Sequence, residues 1–181
     1  GSAPKPSYAD IALPKGVIAG VSIEAFFRVL AEPAMGISDF RRLPTPFEAM
    51  ATNIENGDLV VLDHGSLSQA MRASMSVPGA RAPVEIDGKL LVDGGISNNL
   101  PIDQARALCG DVIIAVNIST PPLTRAELTS ALAISVQLVN FLGKSTVDEQ
   151  LKTLKPDDVL IEPDLGDISA ASFARSKDAI K

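Results

Sequence analysis

Apolar side chains recur along this chain with two different periods, and each period predicts its own kind of element. Between residues 23 and 30 the spacing is helical, so we predict a helix with Ser22 as its N-cap and Pro33 beyond its end. Residues 67–74 have the same character and stop shortly before Pro78. The first half of the chain is therefore expected to contain two helices.

Two pairs of short apolar runs are joined by dipeptides that favour tight turns. Residues 47–54 and 59–62 are separated by an Asn-Gly pair, and residues 84–86 and 89–92 are separated by an Asp-Gly pair. Such dipeptides between apolar runs are a strong short-range signal for a hairpin, because both central residues tolerate positive φ. We predict a β-hairpin at each place.

The second half of the chain continues the alternation of helices and strands. Pro101 is placed to open a helix that runs to about residue 108, with Asn99 or Leu100 as its cap. The β-branched run at 112–116 is typical of a strand covered on both faces in an α/β sheet. The remaining predicted elements are helices at 123–142 and 146–154 divided by Gly143, a strand at 159–161 and a helix at 169–180.

Length and charge narrow the class of protein. Apolar residues make up 46% of the 181 residues, and a chain of this size can bury about 70% of its unfolded surface. A real core is therefore expected. The net charge of −6, without clustered Lys or Arg, argues against nucleic-acid binding and against a polybasic membrane patch.

The ends of the sequence bear on its domain organisation. Gly1 and Ser2 are typical of a tag remnant, and the three prolines of residues 3–14 predict an irregular leader. Residues 3–181 contain no internal repeat or domain-sized linker, so we interpret them as part of a single domain. The most apolar run, residues 131–142, is shorter than the roughly 20 residues that cross a bilayer.

Metal and cofactor chemistry finds little support in the sequence. Cys109 has no neighbouring Cys or His at ligand spacing, so it is interpreted as a small buried apolar residue. Four acidic residues near the end of the chain lack the spacing of a calcium loop and are interpreted as turn and cap residues: Asp157, Asp158, Asp164 and Asp167. We predict no metal and no cofactor.

The most informative stretch is an apolar strand that ends in a carboxylate and two glycines, Asp93, Gly94 and Gly95. Glycines after a strand let a ligand approach the backbone closely, and active sites of α/β folds lie beyond the carboxyl ends of strands. An Asp-Gly-Gly sequence alone is also a common turn. The sequence around it decides between the two interpretations.

That surrounding sequence resembles the patatin-like phospholipase family. From residue 73 it reads A-S-M-S-V-P-G-A, then A-P-V-E-I-D-G-K-L-L-V-D-G-G and N-N-L-P-I-D. The likeness extends to L-P-K-G at 13–16, P-F-E-A-M-A-T at 46–52 and I-E-P-D-L-G-D-I-S at 161–169, so it covers nearly the whole chain. The resemblance implies a three-layer α/β/α fold and hydrolysis of lipid acyl esters by a Ser-Asp dyad, with Asp93 as its aspartate.

Two other signatures of that family, a G-x-S-x-G nucleophile turn and a glycine-rich oxyanion loop, are absent from these residues. Ser22 follows Gly20 but has Glu24 where the second glycine belongs, so we interpret it as a cap and not as a nucleophile. In the family the serine half precedes the region matched here. The resemblance therefore implies that these residues are the C-terminal half of a patatin-like domain, without its N-terminal strand and nucleophile helix. This half is expected to be inactive on its own.

A Ser-Asp dyad needs no histidine, because a carboxylate in direct hydrogen-bond contact can take the serine proton. His64, the only histidine, stands beside Asp63 in an apparent turn and is predicted to be a solvated loop residue. Arg81 replaces the apolar or aromatic residue that is usual in the family. We interpret it as a surface arginine in preference to a ligand of a lipid phosphate.

Four residues are expected to support the loop of Asp93. Gly94 and Gly95 would shape it, while the side chains of Asn98 and Asn99 would hold it through hydrogen bonds to the backbone. An equally open alternative is that the two asparagines cap the following helix.

The resemblance implies a parent protein that is a serine-dependent carboxylic ester hydrolase of the phospholipase or lipase type. Its substrate would be a lipid or another acyl ester, with transient contact to a membrane surface. Two alternatives stay open: a non-catalytic binding or assembly module, and a lipid acyltransferase that would use the same residues. A sheet that lacks a covering layer exposes an edge, so we also predict self-association. The last segment is similar to a bacterial branch with secreted and outer-membrane-associated members, a cytoplasmic location being the alternative.

Overall fold

A computed structural model of the chain describes residues 20–119, 121–166 and 168. Its helices are α1 (Gly20–Ala31), α2 (Leu67–Ser74), α3 (Ile102–Cys109) and α4 (Ala131–Leu151). Its strands are β1 (Ala49–Asn53), β2 (Leu59–Leu62), β3 (Val84–Ile86), β4 (Lys89–Asp93), β5 (Ile114–Val116) and β6 (Val159–Ile161). The α/β fold class predicted from the sequence is confirmed.

The first four strands form one antiparallel sheet in the order β2-β1-β4-β3. The pairs β1–β2 and β3–β4 are the two predicted hairpins, and Gly57 and Gly88 in their turns both adopt positive φ. The hairpins are joined by pairing between β1 and β4, which sets Ala51 opposite Asp93. The aspartate therefore lies at the end of an inner strand, not at an edge of the sheet.

Helix α2 covers one face of this sheet, as its contacts with β1, β3 and β4 show. Ser66 caps the helix by accepting a hydrogen bond from the backbone of Gln69. The helix buries small residues, which allow a close approach to the strands. The buried members of this core are Phe40, Ala49, Ala51, Leu62, Ala70, Ala73 and Leu91.

Strands β5 and β6 form a separate parallel pair, in which Ala115 lies opposite Leu160. Parallel neighbours require a crossover connection, and α4 lies in the one between them. Helices α3 and α4 pack against the face of β5 that contains Ala115. The buried members of this second core are Leu100, Ile102, Ile113, Ala115 and Val147.

The prediction that the run at 112–116 is covered on both faces is wrong for the described part of the chain. The side chains of Ile114 and Val116 are 66% and 48% exposed, whereas Ala115 between them is buried. Val159 and Ile161 are opposite them in register and are also exposed. One face of β5 and β6 is therefore apolar and uncovered by the residues described.

The division of the long helical region at Gly143 is also wrong. Helix α4 runs without interruption through Gly143. An internal glycine costs a helix only about 1 kcal/mol relative to alanine, and tertiary packing can outweigh that cost. Residues 123–130 lie before the helix, whose N-cap is Ser130.

Two predicted helix caps need correction. Pro101 takes the N-cap position of α3, and neither Asn99 nor Leu100 does. Ser22 lies inside helix α1, which includes Gly20, and not at its N-cap. The predicted leader, tag remnant and final helix, as well as Asp167 and the side chain of Cys109, lie outside what the structure describes.

Candidate active site

The backbone of Asp93 is fixed from two sides. Its N–H donates to the carbonyl of Ser76 at 3.1 Å. Its carbonyl accepts a hydrogen bond from Thr52 Oγ1 at 2.9 Å. Ser76 lies in the loop after α2 and Thr52 lies in β1, so the residue is held by one neighbouring strand and by the loop that follows α2. The position of the carboxylate is thus set by the core of the sheet.

The two carboxylate oxygens of Asp93 have different surroundings. Oδ1 accepts a hydrogen bond of 2.8 Å from the backbone N–H of Gly95 and caps the short 3-10 turn Gly94–Ile96. No group within the described ranges donates a hydrogen bond to Oδ2. Burial raises the pKa of Asp93, and the Gly95 hydrogen bond only partly opposes this rise. The carboxylate is therefore oriented through one oxygen and has the other available to accept a proton.

Close packing explains why glycines follow Asp93. A β-carbon on Gly94 would overlap the carbonyl of Met50 in β1. A β-carbon on Gly95 would lie 2.7 Å from Asn99 Oδ1 and 2.9 Å from Asp93 Oδ1. The overlap at Gly94 is with backbone and leaves no room for a side chain, whereas the contacts at Gly95 are with side-chain oxygens of the same loop.

The two asparagines differ in environment. Asn98 is buried, and its Nδ2 donates to Asp103 Oδ1 at 3.2 Å, which ties the loop to α3. Its Oδ1 is buried and has no partner among the described residues. Asn99 is exposed, with its Oδ1 close to Gly95. The side chain of Asn98 thus donates to a carboxylate, whereas the sequence predicted a hydrogen bond to the backbone. The backbone N–H of Asn98 donates to the carbonyl of Gly94.

Helix α4 closes over the same loop. A β-carbon on Gly143 would lie 2.5 Å from the carbonyl oxygen of Gly95. The glycine that the sequence suggested as a helix break is instead a contact point between a helix and the Asp93 loop. The apolar residues beside Gly143 in the sequence did not indicate that this glycine contacts the Asp93 loop.

A buried arginine braces the loop on the other side, and sequence reasoning did not identify it. Arg72 Nη1 donates to Ser76 Oγ, and Arg72 Nη2 donates to the carbonyl of Ala82 at 3.2 Å. Ser76 Oγ in turn donates to the Arg72 carbonyl at 2.7 Å. Burial lowers the pKa of Arg72, and repulsion from Arg81 lowers it further. Because Ser76 also accepts the hydrogen bond from Asp93, the arginine supports the aspartate indirectly.

The remaining candidate residues from the sequence are His64, Arg81 and Ser22, and none has a described hydrogen bond with Asp93. His64 is exposed and its Nδ1 lies 2.5 Å from Asp63 Oδ1, a hydrogen bond that raises the pKa of His64. Arg81 is half-buried, and the side chain of Ser22 is not described. The structure therefore brings Asp93, Gly94, Gly95, Asn98 and Asn99 together and leaves His64 outside their hydrogen-bond network.

Other kinds of site find no support in the part of the chain that is described. No group of three potential metal ligands occurs there. No described helix is long and apolar enough to span a bilayer. A cleft of about 410 Å³ lies between α1 and the start of α2 and is lined by residues such as Arg28 and Ser66, not by Asp93.

Comparison with known proteins gives one family. The profile of the family described as patatin-like phospholipase matches residues 14–106, just over half of the chain. An NTE family protein of Mycobacterium tuberculosis is 31% identical over 176 residues, with 84% of this chain and 30% of that protein covered. A second one from the same organism is 42% identical over 78 residues, covering 43% and 22%.

A mammalian protein also matches part of the chain. The mouse patatin-like phospholipase domain-containing protein 7 is 42% identical over 77 residues, which covers 41% of this chain and 6% of that protein. The chain thus spans a third or less of the length of these relatives.

Proposed function

Since this chain belongs to the patatin-like phospholipase family, we propose that it supplies the aspartate of a Ser-Asp dyad that hydrolyses acyl esters of lipids. The nucleophilic serine would come from residues outside this sequence, since the chain spans only part of its relatives. Membership of the family confirms the resemblance read from the sequence. The lipid-hydrolase class rests on the family, and the dyad and its residues are the proposal.

One observation carries the assignment of Asp93 as general base. Gly95 N–H orients the carboxylate through Oδ1, and Oδ2 has no hydrogen-bond donor among the described residues. Burial also raises the pKa of Asp93, which strengthens it as a proton acceptor. These are the properties that a base needs when it acts on a hydroxyl without a histidine.

The proposed reaction moves one proton back and forth. The serine O–H bond breaks and its proton passes to Asp93 Oδ2 as the serine oxygen bonds to the ester carbonyl carbon. Asp93 then returns the proton to the leaving alcohol oxygen as the ester C–O bond breaks. A water molecule repeats the sequence on the acyl-serine, releases the fatty acid and restores the serine.

The uncovered face of β5 and β6 supports the proposal that these residues are part of a larger domain. Ile114 and Val116 are exposed together with their partners Val159 and Ile161, and an apolar sheet face of this kind normally packs against a second helical layer. We propose that the part of the domain bearing the serine covers it. The 181-residue chain alone is then inactive and associates with itself through this face.

The test compares two polypeptides treated with a serine-directed fluorophosphonate and analysed by intact mass. The 181-residue chain is expected to remain unmodified. A longer polypeptide with the preceding residues of the same protein is expected to gain one adduct and to hydrolyse a short-chain soluble ester. Asp93→Asn should abolish both, while Asp87→Asn, in the exposed turn of the same hairpin, should change neither.

Each contrary result has a defined meaning. A stoichiometric adduct on the 181-residue chain would show an activated serine within it and refute the division of the dyad. An unreactive longer polypeptide would favour the non-catalytic binding module. Transfer of the acyl group to an added alcohol at the expense of water would identify an acyltransferase that uses the same residues.

A further inference from the structure

The hydroxyl group of Thr52 contacts both ends of the turn that carries Asp93. Asp93 is the N-cap and Ser97 is the C-cap of the short 3-10 turn Gly94–Ile96. Thr52 Oγ1 donates to the carbonyl oxygen of Asp93 at 2.9 Å and lies 2.8 Å from Ser97 Oγ. One side chain of β1 therefore holds the beginning and the end of this turn.

The number of available hydrogens indicates the direction of the contact between the two hydroxyl groups. Ser97 Oγ also lies 2.9 Å from the carbonyl oxygen of Gly57, in the exposed turn between β1 and β2. Each hydroxyl supplies one hydrogen, so the three contacts of this row share two hydrogens. If both hydroxyls donated to carbonyls, their oxygens would face each other at 2.8 Å without a hydrogen between them.

Burial decides which contact gives way. Water can replace Ser97 at the exposed Gly57, but it cannot replace Ser97 at Thr52, which is only 2% exposed. The favoured order is therefore that Ser97 donates to Thr52 and Thr52 donates to Asp93. In this order the end of the turn is tied to its beginning through one buried oxygen.

This tie acts on the group that the proposed chemistry uses. The turn orients the carboxylate, because the N–H of Gly95 within it donates to Asp93 Oδ1. Among the described residues, Thr52 is the one side chain of the sheet that forms hydrogen bonds with residues 93–97 from outside the turn. Removal of its hydroxyl would free both ends of the turn and, with them, the direction of the carboxylate.

We propose that Thr52 is a positioning residue for the general base, acting through the carbonyl of Asp93 and through Ser97. This inference rests on the proposed function, because Asp93 Oδ2 must point at the serine oxygen to take its proton. Thr52 is buried and bonds the backbone of Asp93, so it takes no part in the proton transfer itself.

Two substitutions at position 52 separate the hydroxyl from the volume of the side chain. Thr52→Val keeps the volume and removes the hydroxyl, whereas Thr52→Ser keeps the hydroxyl and leaves the space of a methyl group empty. In the longer polypeptide, Thr52→Val should slow fluorophosphonate labelling and lower kcat for a short-chain soluble ester about tenfold, with KM unchanged, because the base is misdirected. Thr52→Ser should keep the parental rates although it unfolds at a lower urea concentration.

A second measurement needs no serine and uses the 181-residue chain. Carbon-13 NMR of the Asp93 carboxyl should give a raised pKa in the parent chain and in Thr52→Ser. The pKa should fall towards its ordinary value in Thr52→Val, because a loosened turn admits water to the carboxylate. Ser68→Ala removes another buried hydroxyl, whose hydrogen bond lies at the start of α2, and should change neither labelling nor this pKa.

The contrary outcomes are equally specific. Parental labelling by a folded Thr52→Val chain would overturn the proposal, and so would an equal loss in Thr52→Ser, which would show a response to packing and not to the hydroxyl. Ser97→Ala should lower the labelling rate less than Thr52→Val does. If circular dichroism shows that Thr52→Val does not fold, parental labelling by Ser97→Ala would overturn the proposal instead.

Failure of the dyad gives a different pattern. Full labelling of Asp93→Asn in the longer polypeptide would refute Asp93 as the base. The NMR titration of the 181-residue chain would still report whether Thr52 holds the carboxylate. The positioning role and the dyad are thereby tested separately.

Discussion

Gly143 of α4 lies against Gly95 so closely that a β-carbon at position 143 would be 2.5 Å from the Gly95 carbonyl oxygen. That carbonyl belongs to the residue whose N–H orients the Asp93 carboxylate. A helix distant in sequence therefore limits the position of the proposed base. The contact connects the packing of the second core to the chemistry proposed at the end of β4.

Gly143→Ala provides a direct measure of this contact. Helix propensity alone predicts that alanine stabilises a helix interior by about 1 kcal/mol. Overpacking against the Gly95 carbonyl predicts a loss of about 1–3 kcal/mol, and we expect this loss to dominate because the opposing atom is backbone. Urea unfolding should therefore show lower stability for Gly143→Ala.

Ser145→Ala, at an exposed position of the same helix, is the matched control and should be neutral or slightly stabilising. A Gly143→Ala chain that is more stable than the parent would show that α4 does not press on the loop.

The raised pKa of Asp93 predicts how the stability of Asp93→Asn, relative to the parent chain, changes with pH. The asparagine can still accept the hydrogen bond from Gly95. Because the pKa of Asp93 is raised in the folded chain, its favourable contribution is complete below the ordinary value of 3.8 and is lost as pH rises through the folded pKa. The variant cannot ionise at this position and avoids the loss.

We therefore expect the stability of Asp93→Asn relative to the parent to increase with pH and then level off. Denaturant unfolding at a series of pH values above about 3 measures this difference. A difference that stays constant or decreases with pH would mean that the fold does not disfavour the ionised carboxylate.

The brace formed by Arg72 and Ser76 predicts strong coupling between them. Ser76→Ala leaves a buried guanidinium without one of its acceptors, which should cost about 1–3 kcal/mol. Arg72→Met removes the charge and keeps much of the side-chain volume. In the double variant the loss should be smaller than the sum of the two single losses. Additive losses in a double-mutant cycle would contradict the brace.

Local signals allowed much of this fold to be predicted. The Asn-Gly and Asp-Gly dipeptides located both hairpins, and the predicted helix at 67–74 matches α2. These elements are decided by turn chemistry and by spacing within a few residues. The position of Asp93 at the end of a strand, followed by two glycines, could be predicted from the sequence for the same reason.

The errors at Gly143 and around Ile114 concern contacts between distant segments, whereas the two wrongly predicted helix caps are local errors. Gly143 is a residue type that often ends a helix, but α4 continues through it and packs it against Gly95. The run around Ile114 has the composition of a strand covered on both sides, yet composition does not say which segment covers it. Arg72 resembles a surface residue of a helix, and only the fold reveals that it is buried.

Asp158 joins three segments of the second core. Its Oδ2 accepts hydrogen bonds from Arg106 Nη2 in α3 and from the backbone of Lys155, and its Oδ1 accepts one of 2.8 Å from Ile113 N–H. The Arg106 hydrogen bond is the largest cause of a lowered pKa, followed by the two backbone donors. The side chain is only 1% exposed, so the network is shielded from solvent.

Asp158→Asn keeps the shape of this side chain but must place an amide N–H against groups that are themselves donors. A lowered pKa means that Asp158 contributes its full stabilisation above the ordinary value of 3.8 and loses it as pH falls through the folded value. The variant should therefore have a clearly lower unfolding midpoint at neutral pH, and its difference from the parent should shrink in acid. Asp157→Asn, at the exposed neighbouring position, should match the parent throughout. If both variants lose the same stability at every pH, the loss comes from the change in net charge and not from the hydrogen bonds of Asp158.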